Sequence, residues 1–436
     1  MRKFLLDSIF ATLFVFTLLW GLSSVSNLQI FSALDPISQA LEDTELTDYA
    51  FSKLRVEDPP VDTNIVIVNI GNLPRELIGR QIEILSSFDP KVIALDIIFA
   101  CDGGLRDSIN CPQAYDVVGN TVFGNAVKNT KTMVMANKLW QTKYVRENLN
   151  TDVYDSLEHT DDELRIGAHE GFVNLVSEAA HQEDLKICRE FYPTKEVNGE
   201  QQLAYSVMAA LLYDSVRTRK FLERKKEIEI INYRGNIVDW HGASTYPGRY
   251  LVLDWEQALD TSMFVSSMIK DKIVLMGFLG DDLRDTSWDD KFFTPLNNKL
   301  GGRARPDMYG VVVHANIISM ILNEDYVEEM EEWHKYAFAI LICYLNVALF
   351  WYIFFKLPIW FDTVSITLQL VQLALFALLI PYAFYWYHLK LDINIGLATL
   401  ALAGPSFEIY ISVIVAGLTA FKEKWLTRKQ KEILTP

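Results

Sequence analysis

Four apolar runs, each long enough to cross a membrane, constrain this chain more than any other feature of its sequence. They cover residues 4–22, 336–355, 364–385 and 393–421. A helix of about 20 apolar residues spans the ~30 Å hydrocarbon core of a bilayer, and a helix satisfies its own backbone hydrogen bonds inside lipid. The sequence therefore predicts an all-α membrane part of four transmembrane helices, one N-terminal and three C-terminal, around a long polar middle.

Basic residues flank the outermost runs and predict the orientation of the chain. Arg2 and Lys3 precede the first run, and a basic tail at 422–436 follows the fourth. Lysine and arginine accumulate on the cytoplasmic side of membrane helices, so we expect both termini inside the cytoplasm and the polar middle outside. A cleaved signal peptide is the alternative for the first run, because small residues follow it at 24–26.

These expectations divide the chain into four parts. We predict an N-terminal transmembrane helix at 1–23, an extracytoplasmic domain at 24–333, three transmembrane helices at 334–421 and a basic cytoplasmic tail at 422–436. The implied location is a bacterial inner (cytoplasmic) membrane. The formal net charge of −16 argues against nucleic acid as a partner.

The middle of the chain alternates between strand and helix patterns. Residues 64–70 and 91–98 are short apolar runs rich in β-branched residues, and a helical pattern at 74–88 separates them. A strand, a helix and a second strand in close succession form a right-handed parallel crossover. Further strand patterns occur at 131–136 and 272–276. The sequence therefore predicts an α/β domain with a largely parallel sheet.

Three weaker patterns complete the prediction for this domain. Residues 141–170 are charged and non-periodic, which is typical of a long surface loop. Residues 202–221 have the pattern of one continuous helix, and 227–232 the pattern of a strand. We interpret Gly235, just after that strand, as part of an ordinary exit from strand to loop with a positive φ angle, and a ligand contact is the alternative.

Polar residues at the ends of the predicted strands mark a candidate site. Parallel strands gather their carboxyl ends at one edge of a sheet, where open α/β folds bind ligands. An unpaired carboxylate in an apolar strand is costly, so it needs a partner or a ligand. We expect any small-molecule or ion site to be formed by Asn69, Asp96, Gly277, Asp281, Asp282, Asp290 and His314.

These residues also have structural interpretations, which stay open. Asp96 can cap a helix or tether a loop, the acids at 281–290 can form a solvated loop, and His314 fits a buried, hydrogen-bonded histidine better than a catalyst. The acidic spacing departs from the EF-hand loop, and no histidine pair supports a transition metal. We predict no metal and no cofactor.

Two further groups of residues have defined chemistry. Cys101 and Cys111 bracket a polar loop and, outside the cytoplasm, their spacing favours a disulfide, whereas Cys188 and Cys343 read as isolated buried thiols. Glu408 lies at membrane depth in the fourth run, after a Gly-Pro pair that predicts a kink. We interpret Glu408 as a hydrogen-bonded packing acid facing the bundle interior, with a proton or ion pathway as the alternative.

Several stretches resemble a known family. The most specific are 272–277 (KIVLMG), Asp290 placed four residues before Thr294-Pro295, and 310–316 (GVVVHAN). Together they resemble the closing signature of the CHASE type-two family, the second kind of cyclase/histidine-kinase-associated sensory extracellular domain. Shorter stretches that match the family are Asp96-Ile97-Ile98-Phe99, Gly171-Phe172-Val173-Asn174 and Asn232-Tyr233-Arg234-Gly235.

The resemblance covers nearly the whole chain and implies a plan for it. Members resemble one another in having one N-terminal membrane helix, a large extracytoplasmic sensor, three more membrane helices and, usually, a cytoplasmic output domain. Asn69-Ile70-Gly71 lacks the acids that relatives carry there, so any ligand of those acids is bound differently or not at all. The sequence ends shortly after the fourth run, so on this plan we expect a separate protein to supply the output.

The functional prediction joins these observations. The sequence contains no Gly-x-Ser-x-Gly elbow, no phosphate-binding loop and no kinase or cyclase signature. We therefore expect a non-catalytic, membrane-anchored sensor that binds an unknown ligand or protein and signals through a separate partner, with homo-oligomers possible. An envelope scaffold, structural or for assembly, is the first alternative, and a metal-assisted periplasmic enzyme is the second.

Overall fold

The computed structural model contains two compact units. One is Phe51–Val327, and the other combines Met1–Ala50 with Glu328–Pro436. Cys101 and Cys111 lie outside the described residues, so their disulfide stays a prediction. The structure describes residues 2–26, 46–54, 58–100, 115–148, 153–178, 185–238, 243–299 and 305–434.

The described elements are numbered here in chain order. The α-helices are α1 (Arg2–Ser26), α2 (Leu46–Tyr49), α3 (Arg75–Ser86), α4 (Val117–Asn129), α5 (Lys143–Asn148), α6 (Tyr205–Tyr213), α7 (Ser215–Leu222), α8 (Trp255–Leu259), α9 (Gly310–Asn323), α10 (Glu332–Lys356), α11 (Phe361–Tyr387), α12 (Asn394–Ile409) and α13 (Ala416–Leu434). The strands are β1 (Asp62–Asn69), β2 (Val92–Asp96), β3 (Met133–Trp140), β4 (Ser156–Glu158), β5 (His169–Phe172), β6 (Val176–Glu178), β7 (Leu185–Phe191), β8 (Thr194–Val197), β9 (Glu200–Leu203), β10 (Glu229–Ile230), β11 (Tyr250–Leu253), β12 (Ile273–Gly277), β13 (Lys291–Phe292), β14 (Met308–Tyr309), β15 (Glu328–Glu329) and β16 (Leu389–Lys390).

The main sheet of the α/β unit has the order β11-β1-β12-β2-β3, with β4 and β5 both paired to β3. Every pairing is parallel except that of β4. The crossover from β1 through α3 to β2 leaves a space that β12 fills later in the chain. All five residues of β12 are buried, as expected for a central parallel strand. The predicted α/β class with a largely parallel sheet is confirmed.

Helices cover both faces of this sheet. Val66, Val274 and Ile93 belong to a core cluster that also contains residues of α3 and α4. Side chains alternate along a strand, so the next residues of each strand point to the other face. On that face Gly277 approaches Val311 of α9, and Gly171 approaches the start of α6 at Tyr205. The final residues of β1, β12 and β2 therefore lie on the α6 and α9 side.

Three local predictions differ from the structure. The expected loop at 141–170 contains α5, β4, β5 and a 3-10 turn. The first residues of the expected helix at 202–221 belong to the end of β9, and the remainder is divided into α6 and α7 at Asp214. The Asp214 carboxylate accepts hydrogen bonds from the backbone of Val216 and Arg217. Asp214 has an extended backbone because it caps α7. The strand expected at 227–232 is limited to β10.

Four helices of the second unit are long and apolar enough to span a membrane: Phe4–Leu22, Glu332–Lys356, Pro358–Tyr387 and Asn394–Thr427. This arrangement of one N-terminal and three C-terminal helices is confirmed. Ala11 and Val15 of α1 pack with residues of α10 and α12, including Cys343, Phe350 and Phe407. Cys188 and Cys343 are free and buried, as predicted.

The fourth span is irregular around Pro405. Proline has no N–H group, so the carbonyl of Ala401 loses its donor within the helix. Gln369 of α11 donates to the carbonyls of Leu400 and Ala401, at 2.7 and 3.1 Å. A Cβ atom on Gly404 would lie 2.8 Å from Oε1 of Gln369, so the glycine admits this side chain. Beyond it, α12 continues through a π-helical turn into α13.

A short strand pair joins two ends of the membrane unit. Glu328 and Glu329 pair in parallel with Leu389 and Lys390, in the loop between α11 and α12. Lys335 at the start of α10 forms ion pairs with Glu332 and with Asp392 of that loop, both at 2.8 Å. The segment that follows Val327 is therefore on the same side of the helices as the α11–α12 loop.

Candidate functional site

Three predicted site residues end neighbouring strands at the same level. In the parallel register Asn69 of β1 pairs with Gly277 of β12, and Gly277 pairs with Asp96 of β2. Their side-chain positions face α6 and α9. The structure therefore brings these three strand ends together at the carboxyl edge of the sheet.

Asn69 connects the backbone of the adjoining loops. Its Oδ1 accepts hydrogen bonds from the N–H groups of Gly71 and Leu279, both at 2.9 Å. Its Nδ2 donates to Asp254 at 2.8 Å and to the Gly280 carbonyl at 3.1 Å. Because both ends of the amide are engaged, Asn69 holds the loop after β12 in place and has little capacity left for a ligand.

The acids of that loop are hydrogen-bonded to nearby groups of the protein. Asp281 is exposed and contacts the side chain of Asn72. Asp282 is exposed and accepts a hydrogen bond from the N–H of Arg284 at 2.6 Å, and Asp285 accepts one from the N–H of Ser287 at 2.8 Å. Such turns stabilise a loop locally. Asp281 and Asp282 are thus separate from the residues that converge beside Asp96.

A cavity of about 360 Å³ lies beside Asp96, and Asp290, Gly310 and His314 also line it. Asp290 precedes β13 with a left-handed φ of 55°, a conformation that aspartate adopts more readily than most residues. Its carbonyl accepts the N–H of Gly310 at 3.0 Å. Its carboxylate oxygens lie 3.5 Å from where a Cβ on Gly310 would be. The carboxylate therefore lies beside the first turn of α9.

The two carboxyl groups in this cavity resist ionisation. Burial raises the pKa of Asp96 to about 8, and the charge of Asp290 adds to the shift. Part of the Asp290 side chain is exposed, but the protein around its carboxyl group removes water and raises its pKa to about 6. Within the described residues, neither carboxyl group accepts a hydrogen bond or forms an ion pair. These are the unpaired acids of the site.

His314 lines the same cavity as a neutral group. It is 2% exposed, and burial lowers its pKa to about 3 although a hydrogen bond to the backbone of Val173 opposes the shift. Its Nδ1 lies 3.4 Å from Oγ of Ser206, and the ring of Tyr205 meets it edge-on. His314 is a hydrogen-bonded buried histidine, as its structural interpretation expected.

Several motif residues have structural roles near the cavity. Gly277 and Gly171 lack side chains where α9 and α6 come closest to the sheet, because a Cβ on Gly277 would lie 2.8 Å from Val311 and one on Gly171 2.6 Å from Tyr205. Asn174 binds the backbone of Leu139 through both ends of its amide. These residues allow the close packing around the cavity and contribute no charge to it.

The turn at Arg234-Gly235 is fastened by Asn316. Oδ1 of Asn316 accepts from the N–H groups of both residues, at 2.8 and 3.1 Å, and its Nδ2 donates to the Gly235 carbonyl at 3.0 Å. The expectation of a positive φ at Gly235 is wrong. Glycine is required there because a Cβ would lie 2.2 Å from Arg249 and 2.6 Å from the carbonyl of Tyr246.

Sequence patterns missed other residues of the cavity wall. Lys138 of β3, Tyr154, Tyr192 and Phe292 line it with Asp96. Lys138 follows the apolar part of β3 as a lone charge, which was a usable signal. The tyrosines reach the cavity from segments far away in sequence, and no local pattern identifies them.

Glu408 differs from its interpretation as an inward-facing packing acid. Its side chain is exposed on the outer side of α12, and among the described residues its carboxylate has no hydrogen-bond partner. Ala401, Pro405 and Ser412 are also exposed and share this face by helical spacing. The fourth span therefore presents a carboxylate to the surroundings of the helical unit.

A metal centre would need more ligands than the site supplies. Hard cations take six to eight oxygens, and zinc takes four ligands. Over the described ranges, no group of three or more histidine, cysteine, aspartate or glutamate side chains is arranged to hold a metal ion. A metal-assisted enzyme would require the loop acids to converge with His314, but of these acids Asp290 lines the pocket with Asp96 and His314, whereas Asp281, Asp282, Asp285 and Asp289 do not line it.

Comparison with known proteins identifies the family of the chain. A family model described as the CHASE2 domain matches residues 14–353. The chain belongs to the CHASE2 domain family. CHASE2 domains are extracellular sensory domains and are generally non-catalytic. No curated protein and no solved structure matches the chain.

Proposed function

We propose that this CHASE2 protein is a non-catalytic sensor that binds a small ligand outside the cytoplasm and signals through a separate membrane partner. The cavity beside Asp96 is the observation that carries the proposal. It lies at the carboxyl edge of a parallel sheet, where α/β folds bind ligands, and it contains two carboxyl groups without partners among the described residues. Acids with raised pKa values that line a cavity are typical of functional sites.

The proposed location is a bacterial inner membrane, with both termini in the cytoplasm. Arg2 and Lys3 before the first span and the basic tail at 422–436 support this orientation. The pairing of Glu328 with Leu389 supports it as well, because it puts the α11–α12 loop beside the segment that leads into α10. In this orientation the ligand cavity is extracytoplasmic.

The proposed partner binds the outer face of α12. A carboxylate at membrane depth is costly when it faces lipid, and small residues allow close helix approach. Glu408 combines both features with Ala401, Pro405 and Ser412 on one face. A partner helix with a basic or hydrogen-bonding side chain at that depth would satisfy the carboxylate. Signalling then requires that ligand binding change this contact.

Site-specific photocrosslinking in native membranes tests this function. A photoreactive residue at Val413, which is 63% exposed, should capture a heteromeric neighbour, whereas one at Leu375 on α11, also exposed, should not. Glu408→Leu should weaken the capture, and the control Leu378→Ala, at an exposed position of α11, should leave it unchanged. Asp96→Asn should alter the captured fraction, because the sensor is coupled to the contact.

The opposite results would contradict the proposal. If Val413 crosslinks to nothing but lipid, or if Glu408→Leu and Asp96→Asn leave the capture unchanged, the protein does not signal through this face. An envelope scaffold, which needs contacts of the α/β unit instead, would then replace the sensor. Capture of a second copy of this chain would identify a homo-oligomer and would equally contradict a separate partner.

A further inference from the structure

The charges in the cavity beside Asp96 are unbalanced. Asp96 and Asp290 contribute up to two negative charges, Lys138 contributes one positive charge, and His314 is neutral. No ion pair within 4 Å joins Lys138 to either acid in the described structure; its ammonium group lies instead 5.8 Å from the ring centre of Trp140. With both acids ionised, the cavity therefore has an excess of one negative charge.

We propose that this cavity binds a small organic ammonium ion, with its N–H groups donating to the carboxylates of Asp96 and Asp290. The proposal rests on the sensor function above and names the chemical class of its ligand. A protonated amine has several donors and no acceptor, so it suits two carboxylates that have no donor among the described residues. Tyr154, Tyr192 and Phe292 supply aromatic wall on which the carbon skeleton of such a ligand can pack.

Other ligand classes fit this cavity less well. An anion would be attracted to the first turn of α9, but the Asp290 carboxylate already lies there, beside Gly310. Ca²⁺ takes six to eight oxygen ligands, which is more than two carboxylates provide. A neutral ligand would leave the excess negative charge of the cavity uncompensated. The volume of about 360 Å³ lies at the small end of known ligand pockets, which favours an amine of metabolite size.

Calorimetric titration of the full-length protein in lipid nanodiscs tests the ligand class. The probes are methylammonium, ethanolammonium and putrescine, each compared with the alcohol of the same skeleton: methanol, ethylene glycol and 1,4-butanediol. At pH 7.5 we expect at least one amine to bind and its alcohol not to bind. Asp96→Asn and Asp290→Asn should each weaken that binding by about 10- to 100-fold, as for lost hydrogen bonds to a charged group.

Two controls separate this effect from a general change of the protein. Asp289→Asn removes an exposed carboxylate next to Asp290 that does not line the cavity, so it should leave amine binding unchanged. Binding should also release protons, measured by repeating the titration in buffers of different ionisation enthalpy, because an ammonium ion favours the ionised form of acids whose pKa is raised. Asp96→Asn should abolish most of this release.

Failure of the ligand class can be distinguished from failure of the sensor. The proposal is overturned if none of the amines binds, if the alcohols bind equally well, or if Asp289→Asn weakens binding as much as Asp96→Asn does. Binding of Mg²⁺ through Asp96, or of acetate in a manner lost in Lys138→Met, would also overturn it and would leave the sensor function intact. If the crosslinking experiment captures no partner in the wild type, that result contradicts the sensor function independently of the titrations.

Discussion

Asp96 illustrates a conflict between stability and binding at the scale of a single residue. It ends a strand whose other four residues are buried, and the structure gives its carboxyl group no donor among the described residues. Burial and the neighbouring Asp290 both disfavour its charge. An unpaired acid in this position lowers the stability of the folded domain at neutral pH. A ligand that compensates its charge would raise that stability again.

The pH dependence of stability should reveal Asp96. Its pKa is about 8 in the folded protein and near 3.9 when unfolded, so the folded state binds the proton more tightly. The free energy of unfolding should therefore fall as the pH rises from about 4 to about 8. Asp96→Asn removes this contribution and should be more stable than the wild type at pH 8, by about 1 to 3 kcal/mol, with a smaller difference at pH 4.

Thermal unfolding of the full-length protein across this pH range measures the effect. The groups facing Asp96 are Asp290, Lys138, Tyr205 and His314; of these, Asp290 contributes in the same direction up to about pH 6. Asp289→Asn serves as the control and should follow the wild type. A variant at position 96 that is less stable than the wild type at pH 8 would contradict the assignment of an unpaired acid.

Asn316 should be important for folding and not for ligand chemistry. It is fully buried and, besides the turn at Arg234-Gly235, contacts Tyr250 and the Val312 carbonyl. Asn316→Ala leaves several buried polar groups without partners and should lower the free energy of unfolding by about 2 to 4 kcal/mol. Asn323→Ala, at the exposed end of the same helix, should cost less than about 1 kcal/mol. Equal effects in denaturant titrations would refute this role.

Residue patterns predicted part of the candidate site. The sequence placed Asn69, Asp96 and Gly277 at one edge because strand ends converge in any parallel sheet. It could not show that the Asn69 amide donates to the Asp254 carboxylate and to the Gly280 carbonyl, because these contacts span 185 and 211 residues of chain. The side chains of Asp96, Asp290 and His314 share a cavity because α9 packs on β12, and this packing cannot be predicted from local sequence patterns.

At the scale of elements, the fourth span shows how a helix break is repaired. Pro405 removes a donor, and Gln369 on the neighbouring helix supplies two hydrogen bonds to the affected carbonyls. The sequence predicted an irregularity at Gly404-Pro405 from proline chemistry alone. It could not identify Gln369, which belongs to another span, as the compensating group.

Removing Gln369 should therefore destabilise the helical unit. Gln369→Leu should lower its stability by about 1 to 2 kcal/mol, the range for interhelical hydrogen bonds in membranes. Gln372→Leu, one turn further along α11, is a matched control, because its Oε1 is buried without a hydrogen bond in the described structure, and it should be neutral or stabilising. Denaturation in bicelles measures both, and an equal loss in the two variants would contradict the repair.

Element boundaries were less predictable than element types. The pattern at 202–221 is helical throughout, and the structure divides it because Asp214 can cap a new helix. Residues 141–170 appeared as a loop because β4 and β5 are short and gain their hydrogen bonds from β3. Such strands depend on a partner that local periodicity does not reveal.

At the scale of the whole molecule, the orientation in the membrane can be tested directly. A cysteine at Lys390, in the loop that pairs with Glu328, should react with an impermeant maleimide in intact cells. A cysteine at Lys356, exposed at the other end of α10, should react only after permeabilisation. Both belong in a background without the four native cysteines. Labelling of Lys356→Cys in intact cells would reverse the proposed topology.

The β15–β16 pair has a mechanical consequence for the helices. A strand that continued from Val327 directly into α10 would transmit tension to one helix. Here the backbone N–H of Glu328 is bonded to the carbonyl of His388 at 2.7 Å, and Lys335 is tied to Asp392. Any pull along the chain at this point is therefore divided between α10 and the hairpin of α11 and α12, and three of the four spans share the load.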